Sequence, residues 1–247
     1  MTLYGLIGFP LSQSFSKRYF TEKFEEEGIA DCRYEAFEIP SIQYLTTLLQ
    51  QYPELAGFNV TIPYKQEVMA FLQELDGEAA SIGACNCIRI SEGRLKGYNT
   101  DASAFETTLL EQLQPHHTQA LILGTGGAAK AVCYTLEKLG IAYKSVSRNP
   151  EEGELGYNDL DGAVMEAYPL IINTTPLGSF PKTEGKPDLP YDRINSNHYL
   201  YDLVYNPPLT GFLEEGRKRG ALIKNGYDML VAQAELSWNI WTAPVEK

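Results

Sequence analysis

The sequence predicts an α/β protein of two domains, one of them built on a doubly wound parallel sheet. Three observations carry this expectation. Short apolar runs alternate with segments whose apolar residues recur every three or four positions, the pattern of strands and helices taken in turn. A glycine-rich turn, Gly124-Thr125-Gly126-Gly127-Ala128-Ala129, stands between one such run and one such helical segment. The chain has 247 residues, which suits two domains of ordinary size.

Leu3 to Ile7 reads as a short buried strand, and Phe20 and Phe24 lie one helical turn apart ahead of a stopping Gly28. Cys32 to Glu38 then returns as a strand, so the chain opens on a βαβ unit. Ser41 is placed to cap a helix carrying Ile42, Leu45, Leu48, Leu49 and Tyr52 at helical spacing. Gly57 to Thr61 is the next strand. Pro63 removes a backbone donor and holds Ile62 extended, so the strand stops there and Lys65 begins a new element at its mouth. Cys85 to Ile90 and Leu95 to Tyr98 flank Ser91-Glu92-Gly93-Arg94 as a hairpin, which delivers Asn99-Thr100-Asp101 to a helix start. That helix carries Phe105, Leu109, Leu110 and Leu113, and the break at Pro115-His116-His117 follows it.

A second domain begins near this break. Its strands are expected at Ala120 to Leu123, Tyr143 to Val146, Leu170 to Asn173, Tyr199 to Leu203 and Ala221 to Lys224, arranged as a parallel sheet. The acidic stretch Glu151 to Asp161 and the proline-rich stretch Phe180 to Asp188 read as surface loops. The last helix, Asp228 to Trp241, carries Met229, Leu230, Leu236, Trp238 and Trp241, an apolar load that requires a packing partner.

Composition narrows the partners. Lysine and arginine number 20 against 32 acids, a formal charge of −12, and no basic block breaks the balance, which argues against nucleic acid. An anionic ligand must therefore be held by local donors. Cys32, Cys85, Cys87 and Cys133 form no C-x-x-C pair, and with His116, His117 and His198 they supply no metal-ligand spacing; reduced cysteines and no metal are expected. Neither a basic leader nor an apolar run of membrane-spanning length is present, so a cytoplasmic protein is expected.

The glycine turn has the G-x-G-x-x-A form in its required context, strand before and helix after. Glycines let the backbone approach a pyrophosphate, and the free amides at the helix start hold its charge. The following strand ends Val146-Ser147-Arg148-Asn149, without the carboxylate that an NAD site presents to the ribose 2′-hydroxyl. Arg148 instead suits a 2′-phosphate, which favours NADP, and Lys130 can add a charge near the phosphates. On the other side, Ser12, Ser14 and Ser16 follow the first strand, and Asn59, Thr61, Lys65, Asn86, Asn99 and Asp101 also fall at expected strand ends. So many short polar groups in one domain suit a small polyhydroxylated acid.

In order, Gly8-Phe9-Pro10 with Ser14-Phe15-Ser16, Gly57 to Lys65, Gly83-Ala84-Cys85-Asn86, Asn99-Thr100-Asp101, Gly124 to Ala128, Asn173-Thr174-Thr175-Pro176, Tyr201 to Pro208 and Met229 to Gln233 resemble the shikimate dehydrogenase family over nearly the whole chain. The resemblance implies a substrate domain of residues 1–101 completed by 226–247, and a Rossmann-like NADP-binding domain of 102–225, with the last helix returning to the substrate domain. It implies that Ser14, Ser16 and Tyr205 bind the substrate carboxylate, that Thr61, Asn86, Asp101 and Gln233 hold ring hydroxyls beside Asn59, and that Lys65 and Asp101 form the catalytic pair. Gly124, Thr125, Gly126, Gly127, Ala128, Ser147, Arg148, Leu203, Gly226 and Met229 would line the NADP site. Lys17, Ala102, Asn149 and Asp228 depart from the family's residues at those positions. The implied activity is reversible NADPH-dependent reduction of 3-dehydroshikimate to shikimate, in aromatic amino acid biosynthesis, by a monomer or homodimer. Quinate oxidation with NAD or mixed cofactor use, and a non-catalytic NADP-binding regulator, are the alternatives; the presence of both Lys65 and Asp101 argues against the regulator.

Overall fold

The apolar amino-terminal run becomes strand β1 (Thr2–Gly8), six of whose seven residues are buried, as a strand covered on both faces must be. The computed structural model describes residues 1–11 and 15–244. After β1 come α1 (Phe15–Glu26), β2 (Cys32–Glu38), a 3₁₀ turn capped by Ser41, α2 (Leu45–Gln51), β3 (Leu55–Val60), β4 (Glu74–Leu75), α3 (Gly77–Ile82), β5 (Cys87–Ser91) and β6 (Arg94–Tyr98). These strands form one mixed sheet in the order β2-β1-β3-β5-β6-β4. β1 runs parallel to β2 and β3, and β5 runs antiparallel to β3 and β6. The β5–β6 hairpin turns through Glu92 and Gly93, at φ 52° and 74°, the left-handed pair that a two-residue turn uses to match strand twist.

Those directions have a consequence for function. The carboxyl ends of β1, β3 and β6 and the amino end of β5 all lie along one edge of the sheet. Polar residues far apart in sequence are thereby gathered on one rim.

The remaining elements are α4 (Asp101–Leu110), β7 (Gln119–Leu123), α5 (Gly127–Lys138), β8 (Ala142–Ser147), β9 (Leu155–Gly156), α6 (Gly162–Ala167), β10 (Leu170–Asn173), β11 (Tyr199–Asp202), α7 (Gly211–Lys218), β12 (Leu222–Lys224) and α8 (Tyr227–Thr242). Their sheet is parallel throughout, in the order β12-β11-β10-β7-β8-β9. The chain moves outward from β7 in one direction and then in the other, so the reversal lies between β7 and β10, where such sheets present ligands. The stretch expected as an acidic loop contains β9, because the exposed side of β8 takes up Leu155 and Gly156 opposite Val146 and Ser147. The helix begun at Asp101 ends at Leu110, short of Leu113.

The chain divides into two compact units, Met1–Thr100 with Ala234–Lys247, and Asp101–Gln233, so the second division falls inside α8. In the first unit, one face of the sheet packs Leu3, Ile7, Leu45, Phe58, Val60 and Ile88. The other packs Tyr4, Leu6, Phe20, Phe24 and Tyr34 with Ala234 and Trp241 of α8. Tyr4 stacks on Trp241 at 4.9 Å and meets Trp238 edge-on at 5.4 Å, and the Trp241 indole N–H donates to the Ile88 carbonyl at 2.9 Å. The late tryptophans thus complete the core of the amino-terminal sheet. A Cβ on Gly57 would fall 2.4 Å from the Trp241 ring, which explains a glycine inside β3. The second unit packs Leu121, Val146, Met165, Ile171, Leu200 and Phe212 in its own core.

Candidate functional site

The rim of the first sheet is built by backbone pairing. Thr61 N–H donates to Ile7 O at 3.0 Å and Phe9 N–H to Ile62 O at 3.1 Å, which ties the segments leaving β1 and β3 together. Tyr64 is buried and its hydroxyl donates to Ile39 O at 2.6 Å, while the Lys65 carbonyl accepts the Cys85 N–H at 2.7 Å. Both sides of the turn that carries Lys65 are therefore anchored. Thr61 and Lys65 themselves are half-buried.

Asn86 ends the same rim. Its Oδ1 accepts the Thr100 N–H at 2.7 Å and its Nδ2 donates to Thr100 Oγ1 at 2.9 Å, which fixes the orientation of the carboxamide, because a backbone N–H can only donate. Asn99 donates to the Ala84 carbonyl at 2.9 Å. Asn59, expected among the substrate ligands, instead turns into the interior. Its Oδ1 accepts from the Tyr34 hydroxyl at 2.9 Å, and its Nδ2 donates to Asn86 O at 3.2 Å and Ser237 Oγ at 2.8 Å. Ser16, buried at the start of α1, hydrogen-bonds with the other side of the Tyr34 hydroxyl, and burial holds the Tyr34 phenol well above its ordinary range. Ser14 lies outside the described residues. The structure thus brings Ser16, Asn59 and Asn86 together through Tyr34, Thr100 and Ser237, to which the sequence reading assigned no role; nothing local marks a strand tyrosine or a helix serine as a partner of Asn59.

In the second unit, Asp101 is the buried first residue of α4, Tyr205 is half-buried after β11, and Gln233 is buried on α8 with its amide donating to Leu230 O at 2.8 Å. The glycine turn lies between β7 and α5. Gly124 has φ +109°, where a side chain would be strained, and its added Cβ would lie 2.7 Å from Thr174 Oγ1. Gly126 differs: an added Cβ there meets nothing within 4 Å. One glycine is required by packing and the other opens space at the helix start, as the backbone of a dinucleotide site must. Gly127 and Ala128 open the twelve-residue α5, and Thr125 is exposed beside them. Ser147 bonds the backbone of Asn149 at the end of β8 and leaves Arg148 exposed to solvent.

On the opposite side of the switch point, a Cβ on Gly226 would sit 2.1 Å from Leu203 O, and Met229 is buried close behind in α8. Beneath this loop lies Asp202, with no exposed surface. Asn173 Nδ2 at 2.9 Å, Val204 N–H at 3.0 Å and Thr210 Oγ1 at 2.6 Å all donate to its carboxylate, and Asn173 Oδ1 in turn accepts from both Thr175 N–H and its hydroxyl. Burial pushes the Asp202 carboxyl up to about 6, against the pull of those three donors. One carboxylate thereby organises the loops that leave β10 and β11. Among the described residues, no helix is long and apolar enough to cross a membrane, and no group of three or more histidines, cysteines or acids is placed to hold a metal.

Comparison with known proteins adds an independent finding. The family described as the shikimate dehydrogenase substrate binding domain matches residues 6–88. A shikimate dehydrogenase (NADP(+)) of Methanopyrus kandleri is 34% identical, over 98% of this chain and 91% of its own length. A protein of the same name from Methanococcus maripaludis is 36% identical, over 97% and 91%. The crystal structure of shikimate 5-dehydrogenase from Thermus thermophilus in complex with NADP(H) and shikimate superposes with a TM-score of 0.86 at 29% identity, over 100% of this chain and 95% of that one.

Proposed function

The chain belongs to the shikimate dehydrogenase family, and we infer from that premise that it catalyses the reversible, NADPH-dependent reduction of 3-dehydroshikimate to shikimate, a step of aromatic amino acid biosynthesis. It is an NADP-dependent oxidoreductase acting on a CH–OH group. The observation that carries this reading is full-length similarity to enzymes of that name, joined to a polar rim that suits a hydroxylated acid. The first unit is the substrate-binding and catalytic domain in this proposal, and the second binds NADP. A biosynthetic step on small polar metabolites fits a cytoplasmic monomer or homodimer.

Bound NADPH would supply the hydride that reduces the 3-keto carbon. The carbonyl oxygen then carries the charge, and the Lys65 ammonium, held on its anchored turn, gives it a proton to complete the hydroxyl; in the reverse direction the lysine takes that proton back. Asp101 orients the substrate. Ser14 and Tyr205 bind the carboxylate by donation, Ser16 joins them by turning its hydroxyl from Tyr34 to the ligand, and Thr61, Asn86 and Gln233 hold the ring hydroxyls. Asn59 stands behind Asn86, since its own amide is engaged inside the fold. Gly124 to Ala128 would receive the pyrophosphate at the α5 start and Arg148 would meet the 2′-phosphate, with Ser147, Leu203, Gly226 and Met229 also lining the NADP site. Because the cofactor carries the difficult chemistry, positioning and charge stabilisation are the protein's share of the rate.

Purified protein mixed with shikimate or quinate and either oxidised cofactor tests the reading at the nicotinamide absorbance band. NADP⁺ reduction with shikimate is expected. No reduction of either cofactor with shikimate overturns the proposal, and faster turnover of quinate with NAD⁺ reassigns the substrate.

A further inference from the structure

Behind the rim runs a buried line of hydrogen bonds that the reaction does not consume. Its far end is Ser237, on α8, with no exposed surface. Ser237 Oγ accepts from Asn59 Nδ2 at 2.8 Å and lies 3.4 Å from Thr100 Oγ1. Both residues bear on Asn86, whose backbone is also paired with Val60 and Tyr98: Asn59 Nδ2 donates to its carbonyl, and Thr100 grips both ends of its carboxamide. The polarity of the line is determined. The Asn86 carbonyl can only accept, so the Asn59 amide nitrogen must face it and Asn59 Oδ1 must face Tyr34. Ser237 therefore accepts a hydrogen bond from Asn59. Apolar packing alone does not call for a hydroxyl here, because the neighbouring Trp238 and Trp241 already hold α8 against Tyr4 and Phe20.

We propose that Ser237 is a positioning residue, a polar strut by which α8, through Asn59 and Thr100, sets the direction in which Asn86 presents its carboxamide to the substrate's ring hydroxyls. The proposal rests on the reading of Asn86 as a substrate ligand. It gives the last helix a second task besides filling the core. Loss of the strut leaves a buried Asn59 N–H without its acceptor, and the Asn59 and Thr100 side chains relax at the expense of Asn86.

The test compares wild type, Ser237→Ala, Thr100→Val and the double variant. Alanine favours helix, so α8 is not weakened by propensity. The KM for shikimate should rise about fivefold in Ser237→Ala, roughly the worth of one buried hydrogen bond, with the KM for NADP⁺ and the fold unchanged. The double variant should lose less than the product of the two single losses. An unchanged KM for shikimate, an equal rise for both substrates, or full additivity overturns the strut. The side-chain amide signals of Asn59 and Asn86 in a ¹H–¹⁵N spectrum give a readout without turnover. Both should move in Ser237→Ala, and an unmoved Asn86 amide overturns the proposal even if the wild-type protein proves inactive on shikimate, a result that would sink the family activity instead.

Discussion

Lys65 is a half-buried side chain on a turn anchored at Thr61, Tyr64 and its own carbonyl, so its ammonium is delivered by a rigid support. Rigid support matters because a proton donor works only within hydrogen-bond reach of the oxygen it serves. Lys65→Ala should lower kcat about 10²-fold or more with a smaller change in substrate binding, measured by steady-state kinetics; an unchanged kcat removes Lys65 from the mechanism. Arg148 is a different kind of residue, exposed at the surface where a phosphate can reach it. Arg148→Ala should raise the KM for NADPH and leave NADH use nearly untouched, whereas equal losses with both cofactors would exclude a 2′-phosphate contact.

Elements are tied to one another by two buried devices. The first is the carboxylate of Asp202 at the end of β11, whose three donors tie β10, the loop after β11 and the start of α7 together. Its folded carboxyl stands at about 6, above the ordinary value of 3.8. An acid raised on folding contributes stability that is present below the unfolded value and lost as pH climbs through the folded one. The window is therefore about pH 4 to 6, and the loss amounts to about 3 kcal/mol. In urea unfolding, the stability of the wild type relative to Asp202→Asn should fall as pH rises across that window; a constant difference would show that folding leaves the Asp202 carboxyl at its unfolded value. The second device is α8. Trp241 is buried between Tyr4, Phe20 and Tyr34 and donates to Ile88 O, so Trp241→Ala should cost about 3–5 kcal/mol of stability, read from the same denaturant curves. A loss under about 1 kcal/mol would mean that the helix is only loosely seated.

At the scale of the whole molecule, an acidic chain has few cations to offer an anionic acid or a phosphorylated cofactor, and the two sheets offer other donors. Each gathers donors at one rim, hydroxyls and amides in the first unit and backbone amides at a helix start in the second. Much of this is legible in the sequence because the signals are local: Pro63 ends β3, Gly93 turns the hairpin, and Gly124 to Ala129 needs only a strand before it and a helix after. Periodicity likewise finds β7, β10 and α8 without reference to anything distant. What it misses is pairing between remote segments. β9 exists because β8 has a free side, and Asn59 faces inward because Tyr34 and Ser237, the latter 178 positions away, meet it there. Taken alone, the chain's order of residues determined which chemical groups the protein owns and which strands and helices carry them. Tertiary structure decided which of those groups look outward to a ligand and which look inward to one another. A side chain's own preferences act over a few residues, whereas its direction and its hydrogen-bond partners are set by whatever the fold packs against it.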